Sequence, residues 1–212
     1  MTLNKDFEKE LPSVIQKYPS LTIKSNGGCK YLKGILDIKS DDGVSYGSFA
    51  IEIHSSPLFP QRYPILYEVG GDIPCSIDYH KYHDNSLCLD VEVNEIVRCR
   101  HGITVCEFIK EIAIPHLANQ QHKKIYGKYV DEYRHGIQGI ADFYTELFGT
   151  TDKNIWAKGV HSVLIGPKTH RNSLCYCGSG KKYKYCHYMA EQKLSLIGKQ
   201  KLLEDLKTLG II

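Results

Sequence analysis

No stretch of these 212 residues is long and apolar enough to read as a membrane span. The opening Met1-Thr2-Leu3-Asn4-Lys5-Asp6 turns polar at once and lacks the apolar core of a secretory leader, so the expectation is a cytoplasmic protein in which disulfides do not form. Internal repeats and low-complexity segments are absent too. Charge of one sign is scarce: the net +3 is too small to imply nucleic acid as a partner. It is unevenly spread, with eight Lys/Arg against three Asp/Glu from Thr169 onward. That basic tail fits either an acidic partner or a solvated helix face.

What is present is an ordinary globular composition, 42% hydrophobic and 24% charged, enough for one full domain and a small appendage. Apolar residues at Leu3, Phe7, Leu11, Val14, Ile15 and Tyr18 have helical spacing, with Pro12 either kinking the helix or starting it. After Asn26-Gly27-Gly28, a strand places Leu32, Gly34, Leu36 and Ile38 on one face. Past the turn Ser40-Asp41-Asp42-Gly43, a second strand sets Phe49, Ile51 and Ile53 against it as an antiparallel hairpin. A third strand is expected at 65–69. From Gly70 to Arg100 no period holds, and a loop of that length in a compact domain is more often functional than idle.

Thr104 and Glu107 then have the spacing of a capping box, followed by a helix burying Val105, Phe108, Ile109, Ile112 and Ala113 until Pro115 bends or ends it. A second amphipathic helix is expected over 129–148, using Val130, Tyr133, Ile137, Ile140, Ala141, Tyr144 and Phe148. Residues 149–168 read as a connector, and Leu194, Ile197, Leu202, Leu206 and Leu209 as a closing helix. The order suggests an α+β layer with the sheet covered on one side.

Eight cysteines in a cytosolic chain call for metal binding, catalysis or burial as small hydrophobes. Cys175 and Cys177, two apart, are followed nine residues later by the pair Cys186-His187, four ligands that meet the tetrahedral demand of a structural Zn²⁺. Gly178 and Gly180 give the short loop between them positive-φ freedom. With no core of its own, such a module would draw its folding free energy largely from the metal. The run Cys-x-Cys-Gly-Ser-Gly-x-Lys-Tyr-Lys-x-Cys-His resembles the SEC-C motif, the zinc-binding tail of SecA and many other bacterial proteins. In relatives it is a docking element, a role that Lys181, Lys182 and Lys184 would suit.

The second constellation is Asp78-Tyr-His80-Lys-Tyr-His83-Asp84-Asn85-Ser-Leu-Cys88-Leu-Asp90-Val91, a thiol among imidazoles, an amide and carboxylates. A free thiol titrates near pH 8.5, so only a few per cent, roughly, is thiolate at neutrality, and a nearby imidazolium would raise that share. Cys88 between two leucines is equally a candidate for plain burial. Cys29, Cys75, Cys99 and Cys106 read as structural.

Phe59-Pro60-x-x-Tyr63-Pro64 followed by Asn85-Ser-Leu-Cys88-Leu-Asp90-Val91 is similar to the core of ubiquitin-conjugating enzymes. The resemblance covers about residues 1–125 and points to the divergent bacterial branch. It implies that Cys88 accepts a ubiquitin-like modifier as a thioester and passes it to an amine. His80 falls on the family's oxyanion-stabilising Asn, and Asp78 on its His. His80 or His83 would assist as base or electrostatic partner, and Asp84 or Asp90 would hold the amine. The implied partners are the modifier, an activating enzyme and a nucleotidyltransferase of an anti-phage system.

The expected organisation is a conjugating-enzyme-like domain over 1–125, a helical extension and connector over 126–168, and a zinc module with its closing helix over 169–212. Three readings compete with conjugation: a non-catalytic domain that binds ubiquitin-like proteins, an adaptor acting through the zinc tail, and a cysteine hydrolase using Cys88 and His80.

Overall fold

The computed structural model describes residues 4–39, 42–130, 134, 136–166 and 168–212. Leu3, Ser40, Asp41 and Tyr133, named in the sequence reading, lie outside them. In chain order the elements are α1 (Lys5–Lys17), β1 (Leu21–Asn26), β2 (Cys29–Lys39), β3 (Ser45–His54), β4 (Ile65–Glu68), a 3-10 turn (Ile77–Tyr79) and α2 (Glu92–Arg98). Next come α3 (Val105–Phe108), a π-helical segment (Ile109–Ala113), α4 (Ile114–Tyr126), α5 (Gly136–Phe148) and α6 (Lys153–Ile165). The chain closes with a second 3-10 turn (Tyr183–Tyr185), α7 (Tyr188–Leu194) and α8 (Lys199–Thr208). These elements form two compact units, one of Met1–Asp90 with Arg98–Glu132 and one of Val91–Val97 with Tyr133–Ile212.

The first unit is α+β, a four-stranded antiparallel meander in the order β1-β2-β3-β4. The period-2 pattern sets the register of its central hairpin, since pairing Leu32 with Ile53 and Leu36 with Phe49 turns Leu32, Leu36, Ile38, Phe49, Ile51 and Ile53 to one face. β1 was not expected, because only Leu21 of its six residues is fully buried and the alternation is faint. Gly34 admits it: a Cβ there would stand 2.1 Å from the Ser20 carbonyl oxygen.

On the covered face, α1 buries Phe7, Leu11 and Val14. It starts at Lys5, with the Asn4 side chain accepting from the Asp6 and Phe7 amides, and carries Pro12 inside it. The Thr104–Glu107 capping box forms, and Val105, Phe108, Ile109, Ile112 and Ala113 are buried as the pattern required. Pro115 does not end the helical run. The π segment widens the ladder ahead of it, so Pro115 falls in the first turn of α4, where a missing N–H costs little. Helical structure therefore continues to Tyr126 and ends on Gly127, at φ 75°.

The second unit is helical. Its core gathers Val93, Phe143, Tyr144, Phe148, Trp156, Val160, Leu194, Leu202 and Leu206. Residues 149–168, expected as a connector, carry α6, capped by Asp152 and burying Trp156, Gly159 and Val160 at i, i+3 and i+4. Gly159 lets α6 close on α5, since a Cβ there would meet the Phe148 ring at 2.4 Å. α5 begins at Gly136 rather than Tyr129, and Val130 and Ile137, expected inside, are exposed. The closing apolar series is buried throughout but runs over α7 and α8, separated at Gly198 with φ 91°. Among the described residues no helix is long and apolar enough to cross a membrane.

Candidate functional site

The irregular stretch 70–100 contains a small hairpin over 80–88. Ser76 caps the 3-10 turn that leads into it, and His80 leaves that turn in the left-handed region at φ 51°. The Tyr82 amide donates to the Ser86 carbonyl at 2.9 Å and the Cys88 amide to the His80 carbonyl at 2.8 Å, which sets His80 opposite Cys88 and Lys81 opposite Leu87. Asp84 shapes the turn by accepting from the Ser86 amide at 2.9 Å and its hydroxyl at 2.6 Å, and Asn85 takes φ 68°. The hairpin docks beside β4, with Leu87 N–H donating to the Leu66 carbonyl and Glu68 N–H to the Asn85 carbonyl.

Cys88 is half-buried. Hydrogen bonding toward Cys88, then burial and the charges of Cys88 and Asp84, push the Tyr82 phenol up to about 12. His83 is engaged elsewhere, with Nδ1 at 3.7 Å from the Cys75 sulfur. Cys75 itself is exposed, contrary to the structural role read from the sequence, and its thiol donates to the Tyr82 carbonyl at 3.1 Å. Asp84 is occupied by Ser86, while Asp90 receives the Tyr63 hydroxyl at 3.3 Å and faces Arg98 at 3.5 Å.

His80 gains partners that the sequence reading missed. The His116 ring stands edge-on to it, centroids 6.0 Å apart, and the Tyr129 ring lies at 5.2 Å. Gln120 locks the group, its amide nitrogen 2.8 Å from the Tyr79 carbonyl and 3.2 Å from His116 Nε2, while its carbonyl oxygen accepts from the Tyr129 hydroxyl at 3.1 Å. Burial, then the charge of His80, push His116 down to about 3, so it is a neutral imidazole. The i, i+4 spacing of His116 and Gln120 on α4 was the available signal.

In the second unit the cysteine cluster closes as its spacing required. Gly178 and Gly180 turn at φ 77° and 73°, and the Cys175 amide donates to the Lys181 carbonyl at 2.9 Å. The donor atoms of Cys175, Cys177, Cys186 and His187 lie within 4.8 Å of one another. Cys177 and Cys186 sulfurs are 3.6 Å apart, and His187 Nδ1 is 3.3 Å from the Cys175 sulfur. Zn–S bonds of about 2.3 Å at tetrahedral angles put two sulfurs about 3.8 Å apart, so donor set and spacing both fit zinc. Burial raises the Cys175 thiol to about 11. At Cys177 burial also pushes upward, but hydrogen bonds from Ser179 and the neighbouring thiols outweigh it and bring this thiol down to about 6.

A shell of fixed groups holds these ligands. His187 Nε2 is 3.0 Å from the Phe148 carbonyl, which only accepts, so Nε2 carries the proton and Nδ1 presents its lone pair to the thiols. One turn later Glu191, 3% exposed, accepts from the Ser162 and Tyr183 hydroxyls at 2.5 Å each. Burial, then the Glu191 charge, push the Tyr176 phenol far up. Glu191 thus ties the loop that carries Cys186 and His187, through Tyr183, to Ser162 of α6.

No solved structure matches this chain. Over 109 residues it is 36% identical to protein translocase subunit SecA of Cupriavidus metallidurans, covering 47% of this chain and 11% of that protein. It is 45% identical to SecA of Borreliella burgdorferi over 51 residues, 24% of this chain and 6% of the relative, and 77% identical to SecA of Chromohalobacter salexigens over 22 residues, 10% and 2%. The chain spans about a tenth or less of the length of these relatives. Residues 171–188, which contain all four clustered ligands, match the SEC-C motif, a zinc-binding type.

Proposed function

We propose that this is a cytoplasmic enzyme related to the bacterial ubiquitin-conjugating enzymes, carrying a ubiquitin-like modifier on Cys88, with a structural Zn²⁺ in its SEC-C module. The observation that carries the reading is the presentation of Cys88, half-buried at the end of a docked hairpin with His80 opposite it and Tyr82 on the same face. In the first step the Cys88 thiolate attacks the thioester carbonyl on an activating enzyme, and that enzyme's thiolate leaves. In the second an amine attacks the new thioester, loses its proton, and the Cys88 thiolate departs. Exchange between like thioesters is nearly balanced, so positioning dominates.

In the second step His80 is the donor to the oxyanion, and the Tyr82 hydroxyl receives charge building on the departing sulfur. His83, held against Cys75, supports a direct role less well. Both carboxylates already have partners, Asp84 the Ser86 amide and hydroxyl and Asp90 the Tyr63 hydroxyl and Arg98, and either would have to release one to meet the amine. Zinc, held by Cys175, Cys177, Cys186 and His187, supplies folding free energy and no reactive position, since all four ligands are protein groups. The modifier, an activating enzyme and an anti-phage nucleotidyltransferase are the partners this reading carries.

Intact mass after co-expression with neighbouring genes tests it. A modifier-sized adduct is expected on wild type, removed by thiol, and retained as a stable ester or absent in Cys88→Ser. No adduct with every neighbour present would instead favour an adaptor acting through the SEC-C module, residues 171–188.

A further inference from the structure

In the 80–88 hairpin side chains alternate between two faces. Lys81 and Leu87, directly opposite each other, both point inward, at 4% and 7% exposure. His80, Tyr82 and Cys88 therefore share the other face. A lysine is an unusual choice for the inward position, since burying a charge is costly unless it is paired and fully hydrogen-bonded.

Its partner is Glu68 on β4, which is 0% exposed. Lys81 Nζ lies 2.5 Å from Glu68 Oε2 and donates to the Ile73 carbonyl at 3.2 Å. Glu68 also accepts from the Gly70 amide at 2.7 Å, the Asp72 amide at 3.3 Å and the Ile73 amide at 3.4 Å. The pair therefore joins β4, the turn at 70–73 and the inner face of the hairpin.

We propose that the buried Lys81–Glu68 ion pair is a positioning device for the Cys88 site, pinning the register of the 80–88 hairpin so that His80, Tyr82 and Cys88 are presented together. The physical reason is the period of two. A slip of one residue against β4 sends the Lys81 ammonium outward, leaves Glu68 as an unpaired buried charge, and turns His80 and Tyr82 into the interior. Leu87 by itself opposes such a slip weakly, because a one-residue shift puts Cys88, a small and already half-buried thiol, in its place; a single buried cation has one acceptable partner. The consequence for catalysis rests on the thioester reading proposed above, whereas the pin itself does not.

The test replaces the pair with neutral side chains of similar length, Lys81→Met with Glu68→Gln, which keeps an oxygen for the 70–73 amides. Amides of Tyr82, Leu87 and Cys88 are expected to exchange about tenfold or more faster, while those of β2 and β3 stay unchanged. The Tyr82 phenol, followed by ¹³C-tyrosine NMR and assigned with Tyr82→Phe, is expected to titrate lower, moving from about 12 toward the ordinary value of about 10.

Lys81→Arg, which keeps the cation, is expected to retain most of both signatures. Hairpin exchange and Tyr82 titration indistinguishable from wild type would overturn the proposal. So would equal loss of protection in hairpin and sheet, which assigns the pair to general stability. If the double variant does not fold, Glu68→Gln alone is read by the same criteria. None of these readouts needs a modifier. Shifted hairpin signals in a protein that forms no thioester leave the pin standing and remove the conjugation reading.

Discussion

The two units each place cysteines on short loops, and they differ in what holds the loop. In the first, Cys88 ends a hairpin docked on a sheet whose core, from Phe7 through Leu32 and Ile53 to Phe108, is assembled without it. In the second, the four ligands occupy the turns that the helices must close around; the Phe148 carbonyl meets His187 directly, and Glu191 holds Tyr183 of the ligand loop to Ser162 of α6. The first site is mounted on a fold. The second is part of how the fold is made.

Removing the metal breaks the comparison most sharply. Zinc binding to small modules is worth on the order of 10 kcal/mol, which is folding free energy when no site exists in the unfolded chain. A strong chelator is expected to move the fluorescence of Trp156, the only tryptophan and 2% exposed in the helical unit, to an unfolded position. Exchange protection of the β2–β3 amides should persist. An unchanged Trp156 signal after complete metal loss would mean that the ligand loops melt alone.

Next in size is Glu191→Leu. It strands the Ser162 and Tyr183 hydroxyls inside the protein, and with each orphaned partner costing about 1–3 kcal/mol the expected loss is about 3 kcal/mol. Urea unfolding followed by Trp156 measures it, and a loss under about 1 kcal/mol would show the shell to be incidental to the ligands.

The smallest effect belongs to the first unit and to acid. His116 has its folded-state pKa lowered to about 3, so the native state stays neutral while the unfolded chain takes up a proton below about 6.5. Its contribution is thus complete above about pH 6.5 and is lost as pH falls toward 3, about 2 kcal/mol of it by pH 5. His116→Gln is expected to flatten the decline between pH 6.5 and 5, read through the β2–β3 amides. An unaltered decline would place the acid-sensitive group elsewhere.

Local signals were legible before the fold was seen. The Thr104–Glu107 capping box, the inward faces of β2 and β3, and the four clustered ligands each lie within a short window, where spacing determines neighbours. The misses come from longer range. β1 exposes most of its side chains, so no alternation announced it. Residues 149–168 read as a connector, and α6 shows in the fold, where Gly159 gives the Phe148 ring room to pack. Pro115 read as a bend or an end, because nothing local indicates that the preceding turn is π-helical.

The sequence by itself determined which residues could do chemistry: four soft ligands at spacings one ion can gather, and a thiol among imidazoles in a stretch without period. Only the tertiary structure decided their company. It turned His83 to Cys75, brought His116 and Gln120 from α4 to His80, and put Tyr82 on the same hairpin face as Cys88. It also sent Lys81 inward to Glu68, across thirteen residues of sequence. Composition and spacing are local properties, whereas which face a hairpin buries depends on what the rest of the chain has placed beneath it.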